Sequence, residues 1–194
     1  MDGREGDRTK MLLEAGMALA SELSLEKVLQ RIVELATEVT GARYGALGVL
    51  GPGERISQFI TVGITGEQRR AIGDLPVGHG ILGVLIGDAK PLRLRNIADH
   101  PRSVGFPPNH PPMRSFLGAP VKAHGRVFGN IYLTEKQGGS EFSVEDEEAL
   151  VILATQAGIA IENARLYEEA QQRERRLAVM EDRGSGSPRS STTG

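Results

Sequence analysis

Two pairs of short apolar runs constrain this chain more than any other feature. Residues 44–50 and 56–62 are separated by Gly51-Pro52-Gly53, and residues 115–123 and 126–135 by His124-Gly125. Connections this short cannot carry a parallel crossover, which needs about a dozen residues or more, so each pair folds back as an antiparallel hairpin. The flanking segments read at a different period. Leu25, Val28, Leu29, Ile32, Val33, Ala36 and Val39 fall on one face of a helix. Ser24 is expected to cap it through its hydroxyl, and Gly41 to supply the left-handed stop. An earlier stretch, Met11 to Leu23, also has helical spacing. Ser143, with Asp146 three residues on, opens a long helix from Val144 to about Met180. The order is therefore helix-helix, hairpin, short helices, loop, hairpin, long helix. It predicts an α+β domain with an antiparallel sheet and terminal helices packed against one face.

The segment between the hairpins divides in two. Thr65 and Gln68 form a capping box that predicts a short helix through about Ile72, and a second short helix is expected over Ile81 to Ile86. Pro91 to Arg95 reads as a brief strand, with its proline tolerable only at the first position or on an edge. Residues 96–114, NIADHPRSVGFPPNHPPMR, contain five prolines, which makes a sustained helix or a central strand unfavourable. An irregular connection of this length inside a compact domain is usually a binding loop. The expected organisation is a disordered N-terminus over residues 1–10, one folded domain over 11–170, a helical extension over 171–182 and a flexible tail over 183–194.

Composition closes several functional classes. A formal net charge of −2 supplies no basic excess for tracking nucleic acid. The absence of cysteine excludes disulfides, thiolate zinc sites and cysteine nucleophiles, and fits a reducing compartment. No apolar run approaches the roughly 20 residues that span a bilayer, and the charged N-terminus is unlike a signal peptide. A cytoplasmic protein that binds neither membrane nor nucleic acid is expected. Gly78-His79-Gly80 followed by Gly83 lacks the Lys-Ser/Thr ending of a phosphate loop and reads as packing glycine. No Gly-x-Ser-x-Gly elbow occurs, and Glu147-Glu148 lies at a helix start, where it complements the dipole. Catalysis is not expected.

The blocks VTGARYGALGV, GHGILGVLI, FLGAPV and FGNIYLTEK, in this order, resemble the core segments of GAF domains, a family of small-molecule sensory modules. The family's N-K…F-x-x-x-D-E pattern is matched by Lys136, Phe142, Asp146 and Glu147, with Glu135 where Asn is expected. The resemblance covers roughly residues 12 to 170. It implies a central antiparallel sheet with the N- and C-terminal helices on one face and a ligand pocket on the other. The runs RYGALGVL, GFPPNHPPMRSFLGAPV and FGNIYLTEK are similar to the first GAF domain of DevS/DosT-type actinobacterial sensor histidine kinases. That family carries b-type haem. The resemblance implies His110, in the His-Pro-Pro-Met run, as the proximal ligand of the haem iron, and Tyr132 on the distal side. The segment after Met180 is too short for a kinase half, so a histidine kinase module would act in cis from elsewhere or in trans.

Read on their own, the two residues carry more modest statements. His110 is a loop imidazole stiffened by flanking prolines, suited either to iron or to solvent. Tyr132 falls by strand alternation with Phe128, Asn130 and Thr134, opposite the apolar set Val127, Gly129, Ile131 and Leu133. Its phenol can donate a hydrogen bond to a ligand, or simply fill space at the sheet rim. His79 could line the pocket mouth, His100 lies at no metal-ligand spacing from His110, and His124 is expected to face solvent from a turn. Ala154, Ala157, Ile161, Ala164, Leu166 and Ala170 form a small-residue stripe on the last helix, expected to contact the sheet before about Asn163 and to continue as a solvated extension or a homodimer through the terminal helices. The leading expectation is a haem b sensor input domain for a diatomic gas (O2, NO or CO) or redox state that regulates a histidine kinase. The alternatives are a GAF domain for another small molecule such as a cyclic nucleotide, and a ligand-free dimerisation module.

Overall fold

The computed structural model describes residues 24–72, 80–106 and 108–184, with side chains described as far as residue 180. The expected helix over Met11 to Leu23 and the site candidate His79 lie outside the described residues. The first described helix, α1 (Leu25–Thr40), ends as expected at Gly41, which takes a left-handed φ of 65°. Its start differs from expectation. Ser24 stands at the N-cap with extended backbone, and its carbonyl accepts from the Val28 amide at 3.0 Å, but its hydroxyl makes no cap bond. Strands β1 (Ala42–Leu50) and β2 (Ile56–Val62) form the first hairpin, and β4 (Phe116–Ala123) and β5 (Arg126–Lys136) the second. Between them lie α2 (Gly66–Ile72), α3 (Ile81–Gly87) and β3 (Leu92–Leu94), and α4 (Val144–Gly184) follows β5. The capping box at α2 forms in both directions. Gln68 N donates to Thr65 Oγ1 at 3.2 Å, and Thr65 N donates to Gln68 Oε1 at 2.9 Å.

All the strands pair antiparallel in the order β2-β1-β5-β4-β3, so the two hairpins meet along β1 and β5. Pro91 precedes the short strand β3, which occupies an edge as its proline requires. Among the described residues of 96–114 there is one 3-10 turn, Ile97–Asp99, and otherwise no regular structure. The sheet thus has two unlike faces. On one, α1 and α4 cover Leu47, Val49, Leu117, Ala119, Val121, Ile131 and Leu133. Gly158 lets α4 come close, since a Cβ there would stand 2.5 Å from the Lys122 carbonyl oxygen of β4. Phe128 corrects the simple alternation. Val121 pairs with Gly129 and Lys122 with Val127, which leaves Phe128 as the extra residue of a bulge. It therefore packs in the helix-covered core and not beside Tyr132.

The junction of β5 and α4 explains the Lys136, Phe142, Asp146 pattern. The Lys136 ammonium donates to Asp146 Oδ2 at 2.8 Å and to the Thr40 carbonyl at 2.6 Å, and lies 5.9 Å from the Phe142 ring centroid. Asp146 is 1% exposed and also accepts from Ser143 N at 2.9 Å, while Ser143 Oγ accepts from Asp146 N at 3.2 Å. Glu135, where the family pattern has Asn, sits at φ 60°, a conformation that Asn adopts more readily. Its carboxylate instead accepts the Arg114 amide, tying β5 to the end of the irregular loop.

Helix α4 also corrects one expectation. One helix, Val144–Met180, is long and apolar enough by length and composition to cross a membrane, contrary to the reading that no segment approaches that length. Its apolar stretch belongs to a folded core, because Leu150, Leu153, Ala154, Ala157 and Ile161 are buried against the sheet. As expected for the part of the helix before about Asn163, Ala154, Ala157 and Ile161 meet the sheet and are not surface available to a second copy. Ile161 is the last buried residue of the helix, and the part beyond it is largely exposed.

Breaking one partner of a buried ion pair strands the other. Asp146→Ala is expected to destabilise the fold by about 3 kcal/mol, read as a fall in the urea midpoint. Glu148→Ala, at an exposed site two residues further on, should leave the stability within about 0.5 kcal/mol of wild type.

Candidate functional site

The sheet face away from α1 and α4 is where side chains become small or polar. Tyr132 on β5 is flanked in register by Ala46 on β1 and Gly118 on β4. Two such small neighbours cannot fill the space over the centre of the sheet. A cavity of about 570 Å³ occupies it, a size suited to a drug- or cofactor-sized molecule. Tyr44, Ala46, Phe59, Tyr132 and Thr134 form its sheet wall. Arg69 and Ile72 of α2, Ile81 and Leu82 of α3, and the loop residues Val104, Phe106, His110 and Met113 complete the lining, and Asn109 Nδ2 ties the loop to α2 by donating to the Ala71 carbonyl at 3.2 Å.

His110 and Tyr132, far apart in sequence, therefore line one cavity. His110 is partly buried, and its ring stacks on Phe106 at 4.7 Å between centroids and 18° between planes. His110 Nδ1 lies 2.9 Å from the Pro111 carbonyl oxygen. A carbonyl can only accept, so Nδ1 is the donor, and in the neutral ring the lone pair is on Nε2. A second hydrogen bond that fixes the tautomer in this way is what orients imidazoles that bind metals. Met113 is buried nearby and accepts from Thr134 Oγ1 at 2.9 Å, which anchors the loop to β5.

Tyr132 stacks loosely on Phe116, with ring centroids 6.0 Å apart, and its remaining accessible surface faces the cavity. Burial pushes its phenol well above the ordinary value of 10.0, and the Arg69 guanidinium draws it part of the way back. The hydroxyl is accordingly a neutral donor at any physiological pH. Asn130, two residues earlier on the same face, donates to the Leu82 carbonyl at 3.4 Å and so ties β5 to α3.

The remaining described histidines are elsewhere. His100 is not among the lining residues, and its Nδ1 accepts the Arg102 amide at 3.1 Å within a local turn. His124 is exposed in the β4–β5 turn, and its Nδ1 meets Glu162 of α4 at 2.6 Å. Among the described residues, no group of three or more His, Cys, Asp or Glu side chains could hold a metal ion. The sequence reading missed Arg69, Tyr44, Phe59 and Phe106. Arg69 is adjacent to Arg70 in a short polar helix, and only the fold shows that Arg69 is partly buried in the cavity wall while Arg70 is exposed.

A family model described as GAF domain matches residues 22–162, and the chain belongs to the GAF family. Solved structures show the same fold. The GAF domain of a phosphoenolpyruvate-protein phosphotransferase from Coxiella burnetii is 22% identical with a TM-score of 0.72, over 84% of this chain and 96% of that one. A free methionine-R-sulfoxide reductase from Neisseria meningitidis, in complex with its substrate, is 18% identical with a TM-score of 0.67, over 86% and 95% of the two chains. A GAF domain assigned to a sensor histidine kinase from Pseudomonas syringae pv. tomato is 21% identical with a TM-score of 0.61, over 87% and 94%. The fold is thus that of a GAF domain, and the same fold also occurs in a methyl-accepting chemotaxis protein.

A neutral, buried phenol gives a direct test of the cavity. Because the folded chain holds the Tyr132 proton above pH 10.0 while the unfolded chain releases it, stability should fall as pH rises past that value. Wild type should show a phenolate absorbance step above the ordinary tyrosine range, and Tyr132→Phe should lack that step and part of the alkaline loss of stability.

Proposed function

We propose that this domain binds haem b in the cavity, with His110 Nε2 as the axial ligand and Tyr132 facing the bound ligand's side, and reports a diatomic gas or redox state. The single observation that carries this reading is the His110 side chain. It lines a large, mainly apolar cavity, and Nδ1 donates to the Pro111 carbonyl, so the neutral imidazole presents its lone pair through Nε2. The motif likeness around His110 and Tyr132 to haem-carrying GAF domains supports the same assignment. When bound, the haem iron supplies an open coordination position or a redox couple. Tyr132 supplies a neutral hydrogen-bond donor, and Met113, Phe106 and the apolar lining keep water away. Thiol-dependent reduction of a sulfoxide is closed to these residues, since the 194 contain no cysteine.

Output would run through β5. Met113 and Arg114, at the end of the His110 loop, bond to Thr134 and Glu135, and the next residue, Lys136, holds Asp146 at the head of α4. A shift of the loop would reach α4 through three consecutive residues of one strand. We propose that α4 passes this on as a homodimer, to a histidine kinase module in cis or in trans. The face offered is not that of the buried Ala154, Ala157 and Ile161 but that of Ile152, Ile159 and Leu166, which are exposed at seven-residue intervals and extended by Leu177 and Met180.

Wild-type protein reconstituted with haemin should give a histidine-ligated Soret spectrum. His110→Ala should lose it while retaining the wild-type circular dichroism, because a loop residue carries little core packing. Equal haemin spectra in both proteins would place the ligand elsewhere. The assembly is tested separately by sedimentation. Wild type should be dimeric at roughly tens of micromolar, and Ile159→Glu with Leu166→Glu should be monomeric with an intact fold. A wild-type monomer at that concentration would defeat the dimer.

A further inference from the structure

We propose that Arg69 is the carboxylate anchor of the cavity, and that the ligand is a planar apolar molecule presenting a carboxylate toward α2. This deepens the haem reading and rests on it. Haem b has carboxylates on one edge only, so a site for it needs a cationic side as well as an axial imidazole.

The side chains of α2 are arranged for that role. The helix has no buried residue, yet Arg69 and Ile72 are partly buried at the cavity wall while Glu67, Gln68 and Arg70 are exposed. The Arg69 guanidinium carbon lies 5.6 Å from the Phe59 ring centroid, over another lining residue. Stacking of this kind holds the guanidinium plane against the cavity wall. Among the described lining residues, Arg69 is the one Lys or Arg, and no Asp or Glu is present. Its field also reaches the Tyr132 phenol, so it acts toward the cavity interior. A guanidinium has five donors in a planar fork and can hold a ligand carboxylate bidentately alongside contacts to protein. The surrounding apolar lining strengthens that pairing relative to water.

The chemical consequence is an ordered ligand. The imidazole of His110 and the guanidinium of Arg69 enter from different elements, the Pro-rich loop and α2. A molecule with a metal centre and a peripheral carboxylate would be held at two points, by His110 and by Arg69, which would fix its orientation in the cavity. A neutral planar molecule would be held at neither.

The test uses the full chain and separates this inference from the haem reading. Wild type, Arg69→Gln, Arg69→Lys and His110→Ala are titrated with three probes: haemin, iron-free protoporphyrin IX, and protoporphyrin IX dimethyl ester. Iron-free porphyrin is followed by fluorescence and cannot use His110 as a metal ligand. Arg69→Gln should weaken protoporphyrin IX binding by about tenfold or more and leave the dimethyl ester unchanged. Arg69→Lys should retain part of the preference, since an ammonium keeps the charge without the fork. His110→Ala should keep the acid-over-ester preference while losing the histidine-ligated haemin spectrum. Circular dichroism of Arg69→Gln should match wild type, because α2 contributes no buried residue. Equal wild-type affinity for acid and ester, or an unchanged preference in Arg69→Gln, overturns the anchor while a histidine-ligated haemin spectrum keeps the haem reading. If wild type binds none of the three probes, both are overturned together.

Discussion

The Lys136 ammonium sits where the end of α1, the end of β5 and the start of α4 meet. It binds the Thr40 carbonyl, the Asp146 carboxylate and the face of Phe142 at one point. Asp146 in turn closes the cap of α4 on Ser143. A buried carboxylate needs such partners, because its desolvation is not otherwise repaid. The consequence is geometric. With the head of α4 tied to the strand end, its Leu150, Leu153, Ala157 face lies along β4 and β5, and α1 lies beside it. The other face of the sheet is left to the short helices and the loop.

That division explains why there is a cavity at all. The helix-covered face is filled by Leu, Ile and Val from every central strand. The opposite face places Ala46 and Gly118 on either side of Tyr132, and its cover is an irregular segment with one 3-10 turn among its described residues. An irregular cover can be anchored at a few points without filling the space beneath it. The Met113–Thr134 and Arg114–Glu135 bonds hold one end, and Asn130 with Leu82 holds α3. Small residues on the strands and a loosely packed lid are the same design seen from two sides.

The cavity side and the helix side of the domain are joined mechanically by β5. Its pocket-facing residues Asn130, Tyr132 and Thr134 alternate with Ile131 and Leu133 in the core, and its last residue holds α4. An eleven-residue strand with a bulge at Phe128 makes both contacts without an intervening loop. The exposed Ile152, Ile159 and Leu166 on α4 lie at the far end of that connection.

Much of this was legible in the residues because it depends on local rules. Helix ends at Gly41 and Ser143, the capping box at Thr65, the hairpin turns and the edge placement after Pro91 each follow from the conformational preferences of a few neighbours. The matching blocks also pointed to the fold and to His110 and Tyr132 as residues to examine. Other features were decided only by the tertiary structure. The bulge that sends Phe128 into the helix-side core arises from register between two strands, which no single strand encodes. Arg69 and Arg70 are chemically alike and adjacent, and only the docking of α2 over the cavity separates their roles. The stripe Ala154, Ala157, Ile161 and the row Ile152, Ile159, Leu166 both suit a helix interface by pattern. Which of them meets the sheet was set by where Lys136 fastens the start of α4, a contact between residues whose neighbourhood exists only once the chain has folded.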